Sequence, residues 1–156
     1  MRPATGSFAS PIGPLTATVV DGRLTALHMA PHPRDARRDP ALAGVVAQLD
    51  AYFAGERTAF GLPLAPAGTA FQRRVWEALR EIPYGETISY RELAARAGNP
   101  AACRAAGHAN GRNPIAIVVP CHRVVGADGR LTGYGGGLER KAWLLAHERR
   151  VLEPGA

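Results

Sequence analysis

The spacing of hydrophobic residues predicts a β-hairpin near the start of the chain. Leu15–Val20 and Arg23–Met29 are short segments in which apolar and polar residues alternate, a pattern typical of strands. Asp21-Gly22 separates them, and Asp-Gly between two such segments is a strong signal for a type I′ turn. We therefore expect residues 15–29 to form two antiparallel strands joined by a two-residue turn.

After a loop rich in proline and arginine, apolar residues recur at the spacing of a helix. Asp39 and Pro40 have the residue types of an N-cap and of a first helical position. Apolar residues then recur at helical intervals, and Gly55 ends the helix (Leu42, Val45, Val46, Leu49 and Phe53). Together with the hairpin, this helix predicts a small N-terminal α+β scaffold domain at 1–68, which ends in a connector rich in glycine and proline.

The remainder, 69–156, is predicted to be a mainly helical domain. Residue types of a capping box stand at Thr69 and Gln72 and again at Ser89 and Glu92. The predicted helices run from Thr69 to Pro83, from Ser89 to Gly98, from Asn99 to about Asn110 and from Leu138 to about Arg149. The second and third are separated by a tight turn, which is the layout of a helix-turn-helix. We expect an α+β protein whose second domain is a winged-helix-like DNA-binding domain.

One stretch of this second domain is not helical. Ile115–Val119 is apolar and β-branched, which predicts one buried strand, and Pro120 ends it. Cys121 comes next, followed by the basic residues His122 and Arg123. Because adjacent cations lower the pKa of a thiol, Cys121 is a candidate nucleophile. A buried structural cysteine is the alternative.

The third predicted helix is nearly free of bulky side chains. Arg104 is the only long side chain between Asn99 and His108. A tightly packed helix interface is one explanation. The other is a slim helix with one protruding arginine that fits deeply into a DNA groove.

Composition narrows the partner class. The chain has 156 residues, 46% of them hydrophobic and 21% charged, as in ordinary globular proteins. Residues 1–70 contain six basic and five acidic residues, net +1, whereas residues 71–156 contain thirteen and eight, net +5. A basic second part fits a polyanionic partner. Compositional bias is the alternative, since all but one of the nineteen basic residues are arginine.

The two cysteines give no sign of a metal centre. Cys103 and Cys121 form no C-x-x-C pair and no cluster with histidine, so we expect no metal and no cofactor. No signal peptide and no apolar run of membrane-spanning length is present in the sequence. We expect a cytoplasmic, monomeric protein with reduced thiols and no membrane partner.

Taken in order, the motifs of the second domain resemble the O6-alkylguanine-DNA alkyltransferase family. They are Ile82-Pro-Tyr-Gly-Glu-Thr87, Ser89-Tyr90, Arg104, Asn110-Gly-Arg-Asn-Pro114, Pro120-Cys-His-Arg123 and Gly133-Tyr-Gly-Gly-Gly-Leu138. The resemblance is dense over about residues 69–150 and loose before them. It implies a DNA repair protein that flips O6-alkylguanine, mainly O6-methylguanine, out of duplex DNA and transfers the alkyl group irreversibly to its own Cys121.

The resemblance also implies the catalytic roles. Cys121 is the nucleophile, His122 is a base that acts through a water molecule, and Glu148 orients the imidazole. Glu148 stands out without the family, because it falls on the Leu144/Leu145 face of the last predicted helix. A carboxylate there should be partly buried and paired.

Further matches concern the substrate pocket. Tyr90 is the implied proton donor to guanine N3, Asn113 ties the turn before the strand to the helical part, and Val124 offers its backbone carbonyl to the guanine amine. A loop covers the pocket (Tyr134, Gly135 and Gly136). Many relatives have serine where this chain has Gly135, so a hydrogen bond to O6 would come from a backbone N–H alone.

For DNA binding, the resemblance places the helix of Arg104 in the minor groove and the Arg104 side chain in the space left by the flipped nucleotide. The residues expected at DNA are Arg104, Ala102, Ala105, Gly107, Asn110, Arg112 and Arg123. Two other functions stay open on the residues alone. One is a cysteine hydrolase that uses Cys121 and His122, and the other is a noncatalytic helix-turn-helix protein that binds DNA.

Overall fold

The computed structural model describes residues 3–153 and has the predicted mixed α+β fold. The chain forms two compact units: the first contains the chain up to Ala67 together with Pro114–Ala116, and the second contains the rest. The predicted two-domain division had Pro114–Ala116 in the second domain. The outer ends of the two predicted domains, residues 1–2 and 154–156, lie outside the described residues. No helix of the described part is long and apolar enough to cross a membrane.

A three-stranded antiparallel sheet lies in the first unit, in the order β1 (Ala4–Phe8), β2 (Leu15–Val20), β3 (Arg23–His28). Asp21 and Gly22 join β2 to β3 with φ angles of 52° and 77°, and a type I′ turn requires positive φ at both positions. The predicted hairpin is confirmed. Strand β1, which pairs with β2 along its whole length, has no counterpart among the predicted elements.

At the predicted start of the helix in the first unit, the structure has a 3-10 turn, and the α-helix begins three residues later. The Asp39 side chain accepts a hydrogen bond from the Ala41 N–H at 3.0 Å and caps a 3-10 turn at Pro40–Leu42. Helix α1 (Ala43–Phe53) continues from this turn. Its buried side chains include three that the spacing predicts (Val45, Val46 and Leu49). Gly55 follows the helix end with a φ of 78°.

In the second unit the main elements are the helices α2 (Ala70–Arg80), α3 (Tyr90–Arg96), α4 (Cys103–Gly111) and α5 (Leu138–Leu152). Thr69 and Gln72 form the predicted capping box of α2. Helices α3 and α4 follow one another in the predicted helix-turn-helix order, but α4 begins four residues later than expected. The Asn99 side chain accepts a hydrogen bond from the Ala101 N–H at 3.1 Å, which stabilises a turn before the helix.

The predicted buried strand over Ile115–Val119 is wrong. Ile115 makes a single bridge to Leu27 within the first unit, and residues 116–118 form turns. Ile117 has a φ of 71°, in the left-handed region that a strand cannot contain. The isoleucine and valine side chains of this segment are nevertheless buried. The hydrophobic pattern therefore predicted the burial correctly and the secondary structure wrongly.

Candidate active site

Cys121 begins a single 3-10 turn, Cys121–Arg123, that leads into the short strand β5 (Val124–Val125). The turn is closed by the Arg123 N–H, which donates to the Pro120 carbonyl at 3.0 Å. Strand β5 pairs in parallel with β4 (Ile88–Ser89). This arrangement buries the whole turn, because β5 fixes its far end within the second unit.

Cys121, which carries the candidate thiol, is buried, with 7% of the residue exposed. Burial raises the pKa of this thiol, while a hydrogen bond from the Asn113 side chain and the positive charge of Lys141 lower it. The expectation that His122 and Arg123 supply the stabilising cations is therefore wrong. Both basic neighbours bind Glu148 instead.

Asn113 stands at the start of the turn segment that precedes Cys121. Its side-chain amide donates to the Val119 carbonyl at 2.8 Å and also forms the hydrogen bond that lowers the pKa of Cys121. One side chain thus contacts the backbone just before the thiol and the thiol itself. The contact fixes the position of Cys121 relative to the end of α4.

A fully buried imidazole–carboxylate pair forms the next part of the site. His122 and Glu148 are both 0% exposed, and the distance from Nε2 to Oε2 is 2.7 Å. Burial lowers the pKa of His122, whereas the hydrogen bond and the charge of Glu148 raise it. Burial alone would raise the pKa of Glu148, but His122 and Arg123 outweigh it and hold the carboxyl ionised far below its usual range. The predicted burial of Glu148 is confirmed.

The other imidazole nitrogen is available for chemistry. Within residues 3–153, His122 Nδ1 has no hydrogen-bond partner. Because Nε2 is committed to Glu148, Nδ1 is the nitrogen that can receive a proton.

Arg123 is buried and bound to Glu148, which corrects its predicted role as a DNA contact. It is 6% exposed, and its Nε and Nη2 donate to the two oxygens of Glu148 at 2.9 and 3.0 Å. Its Nη1 donates to the Ile82 carbonyl at 2.7 Å. Burial of the Glu148 charge requires a partner, and Arg123 supplies it.

Lys141 is a candidate functional residue that the sequence reasoning missed. It is fully buried on α5, and its Nζ donates to the carbonyls of Val124 at 2.6 Å and Thr132 at 2.8 Å. Burial lowers the pKa of Lys141, and Cys121 raises it. The Val124 carbonyl, expected to face guanine, thus already has a donor. A signal was present in the sequence, because Lys141 is the only lysine among nineteen basic residues.

Thr132 connects Lys141 to Tyr90. The Tyr90 hydroxyl donates to the Thr132 carbonyl at 3.1 Å and accepts from the Thr132 hydroxyl at 3.2 Å. The same carbonyl accepts from Lys141. The implied proton donor, Tyr90, is therefore linked through Thr132 to the ammonium group that acts on Cys121.

The glycine-rich loop contributes Tyr134. Its hydroxyl is buried without a hydrogen-bond partner in the described part of the chain, and burial and the Cys121 charge raise its pKa well above the usual value. The Gly136 carbonyl accepts from Arg140 at 3.0 Å. A Cβ at Gly135 would meet no atom within 4 Å, so this position has room for a side chain.

Helix α4 presents part of its predicted DNA-binding set to the surface. Arg104, Ala105 and Arg112 are exposed, and Ala102 and Gly107 are half-buried. Asn110 is 3% exposed and points inward, with its Nδ2 at 3.5 Å from the Cys121 carbonyl. The prediction that Asn110 contacts DNA is therefore wrong.

Two family models match the chain. Residues 5–66 match the 6-O-methylguanine DNA methyltransferase, ribonuclease-like domain, and residues 70–150 match the 6-O-methylguanine DNA methyltransferase, DNA binding domain. The chain is 59% identical over 147 residues to the methylated-DNA–protein-cysteine methyltransferase of Mycolicibacterium paratuberculosis. That match covers 90% of this chain and 89% of the relative.

Solved structures agree with these matches. The O6-methylguanine methyltransferase of Mycobacterium tuberculosis is 53% identical, with a TM-score of 0.85 over 95% of this chain and 93% of that one. The OGT protein of the same organism in complex with DNA has a TM-score of 0.86 and 53% identity over 94% and 93% of the two chains. With a buried thiol beside a histidine–glutamate pair and family matches along nearly its whole length, the chain belongs to the 6-O-methylguanine DNA methyltransferase family.

Proposed function

We propose that the protein repairs duplex DNA by moving the alkyl group of O6-alkylguanine, mainly O6-methylguanine, onto Cys121 in a single turnover. The observation that carries the proposal is the buried Cys121 thiol, which is hydrogen-bonded by Asn113, feels the charge of Lys141 and precedes the His122–Glu148 pair, in a chain of this family. A thiolate is the most suitable side-chain nucleophile for attack on an alkyl carbon.

The proposed reaction consists of a proton transfer, an alkyl transfer and a second proton transfer. The Cys121 proton passes to His122 Nδ1 through a water molecule, and the adjacent Glu148 charge stabilises the imidazolium. The thiolate attacks the alkyl carbon, so a carbon–sulfur bond forms while the carbon–O6 bond breaks. The guanine anion that leaves takes a proton from the Tyr90 hydroxyl, and Lys141 stabilises the negative charge on sulfur before attack.

Binding to DNA is assigned to α4. Arg104 is exposed on a helix surface of small residues, which lets the helix approach DNA closely, and a relative of the same fold has been solved with DNA. We assign Arg104 to the space left by the flipped nucleotide, with Ala102, Ala105, Gly107 and Arg112 at the surrounding surface. Monomeric state and cytoplasmic location stay predictions from the sequence.

Duplex DNA with a radiolabelled methyl group on guanine O6 tests the assignment of the nucleophile. Label should become covalently attached to the wild-type protein and to Cys103→Ser, its matched control, because Cys103 has no part in the proposed site. Cys121→Ser should bind the same DNA and acquire no label, since a hydroxyl is barely ionised near neutral pH. Labelling of Cys121→Ser, or its absence from Cys103→Ser, would assign the reaction to another residue.

A further inference from the structure

Arg123 was expected at DNA, yet its guanidinium group binds the catalytic carboxylate. Nε and Nη2 reach the two oxygens of Glu148 at 2.9 and 3.0 Å, and Nη1 binds the Ile82 carbonyl at 2.7 Å. The ring of Tyr84 lies 5.5 Å from the guanidinium carbon. Arg123 is therefore fixed on several sides, with its charge directed at Glu148.

His122 and Arg123, which are adjacent in the sequence, share the carboxylate of Glu148. Its Oε2 accepts from Arg123 and also contacts His122 Nε2 at 2.7 Å. Its Oε1 accepts from Arg123 and from the Gly85 N–H at 3.1 Å. These donors hold the carboxylate in one orientation, and the carboxylate in turn fixes the plane of the imidazole ring.

The sharing also changes the charge that the imidazole experiences. A histidine paired with a carboxylate alone gains proton affinity, and it could then already carry a proton and be unable to accept the proton of the thiol. Arginine stays charged at all accessible pH values. The charges of Arg123 and Glu148 therefore cancel each other while His122 is neutral. The charges that lower the pKa of His122 are those of Arg123 and Lys141, in addition to burial, and Glu148 is the group that raises it.

We propose that Arg123 is a positioning residue that keeps His122 in its neutral, proton-accepting form by sharing the Glu148 carboxylate. The inference rests on the proposed function, because it takes His122 as the base for Cys121. It adds a separate role for the arginine of the Pro120–Arg123 motif: it tunes the base without touching the substrate.

Two substitutions separate the charge of Arg123 from its geometry. Arg123→Gln removes the charge but keeps an amide donor, and Arg123→Lys keeps the charge but loses the paired contact. Methyl transfer from the free O6-methylguanine base is measured from pH 5 to 9 by mass spectrometry of the protein. The protonation midpoint of His122 is measured by ¹⁵N NMR in a Cys121→Ser background, which cannot be alkylated.

Arg123→Gln should raise the His122 midpoint and the acid limb of the rate profile together by about one pH unit. Transfer near pH 6 should then fall several-fold more than transfer near pH 8. Arg123→Lys should leave the midpoint near the wild-type value and lower the rate by a similar factor at every pH. Even if the Gln variant did not fold, a shifted midpoint in the Lys variant would contradict the proposal.

Arg37→Gln is the matched control, since Arg37 forms a similar two-contact pair with Asp50 at 2.8 and 3.0 Å on the surface of the first unit. It should change neither the rate nor the midpoint. If Arg123→Gln lowers the rate equally at all pH values with an unchanged midpoint, Arg123 is only structural and the inference is wrong. If His122→Gln transferred methyl groups at the wild-type rate, the assignment of His122 as the base would be wrong. This variant therefore distinguishes a failure of the proposed function from a failure of the inference about Arg123.

Discussion

Glu148 places a full negative charge in the protein interior, where the residue is 0% exposed. A carboxylate in such a place costs several kcal/mol unless it is paired and hydrogen-bonded. His122, Arg123 and the Gly85 N–H provide those contacts, so the same residue serves stability and chemistry. Replacing one partner leaves the others buried without compensation.

Glu148→Gln should therefore lower the free energy of unfolding by about 3–5 kcal/mol, because Arg123 loses its counter-charge inside the protein. It should also lose most of the methyl transfer rate, since a neutral amide cannot stabilise an imidazolium. Urea unfolding and transfer kinetics check the two effects. Glu139→Gln is the control on the same helix, exposed, and it should change little. Near-normal transfer by Glu148→Gln would remove Glu148 from the mechanism.

Stability should depend on pH through the same pair. His122 and Glu148 both have pKa values lowered by folding, so the unfolded chain binds more protons than the folded one. The unfolding free energy should be highest above about pH 6.5 and should fall below it as His122 titrates, then fall again below about pH 4.3 as Glu148 does. Urea titrations at pH 7 and pH 5 measure the first step. His122→Gln should reduce that difference, and an unchanged difference would contradict the lowered pKa.

The sequence pointed to Cys121 and His122 by their place after an apolar run and to Glu148 by helical spacing, and the family resemblance supplied their roles. The sequence did not reveal which way a side chain turns. Arg123 looks like a DNA contact in the sequence, and only the fold shows that it faces Glu148. Lys141 was missed for the same reason, since a lysine on a helix is exposed in most proteins.

Among the elements, helices and the hairpin could be predicted because their signals are local: caps, Asp-Gly turns and apolar spacing. The segment before Cys121 could not, because its shape depends on long-range contacts. Ile115 pairs with Leu27, Asn113 binds the Val119 carbonyl, and Ile117 takes a positive φ between them. A run of β-branched residues favours a strand, and these contacts hold Ile117 in a turn against that preference.

Ile117 gives a prediction for this turn. Its side chain is buried while its backbone has a φ of 71°, which costs a non-glycine residue about 1–2 kcal/mol. Both Ile117→Ala and Ile117→Gly lose the side chain, but only glycine relieves the backbone. Urea unfolding should therefore show the Gly variant to be more stable than the Ala variant by about 1 kcal/mol.

Val118 is the matched control, since it lies in the same turn without a positive φ. There the usual order should hold, with the Ala variant more stable than the Gly variant. The same order at both positions would contradict a left-handed backbone at Ile117.

Helix α4 gives a second prediction at this scale. Arg104→Ala should slow repair in duplex DNA at least about tenfold, since ~1.4 kcal/mol of lost stabilisation of the flipped state corresponds to a factor of ten. Reaction with the free modified base should hardly change, because nothing has to be flipped. Single-turnover rates on both substrates measure this. Arg80→Ala removes the same charge from α2 and should affect neither; an equal loss on both substrates by Arg104→Ala would rule out a role in flipping.

Across the whole molecule, charge and family membership point the same way. The net charge of +6 favours a polyanion, and family matches span both units. The α+β class followed from the order of predicted elements. The inclusion of Pro114–Ala116 in the first unit did not, because it depends on pairing between residues far apart in the chain.

The stoichiometry of transfer tests the central claim most directly. Attack of a thiolate on an alkyl carbon gives a thioether, which water does not open. A cysteine hydrolase attacks a carbonyl carbon and forms a thioester, which water does open. Intact-protein mass spectrometry after long incubation with excess O6-methylguanine duplex should show one added methyl group per chain, and peptide mapping should place it on Cys121. Continued loss of O6-methylguanine beyond one equivalent, or a methyl group on Cys103, would contradict single-turnover transfer to Cys121.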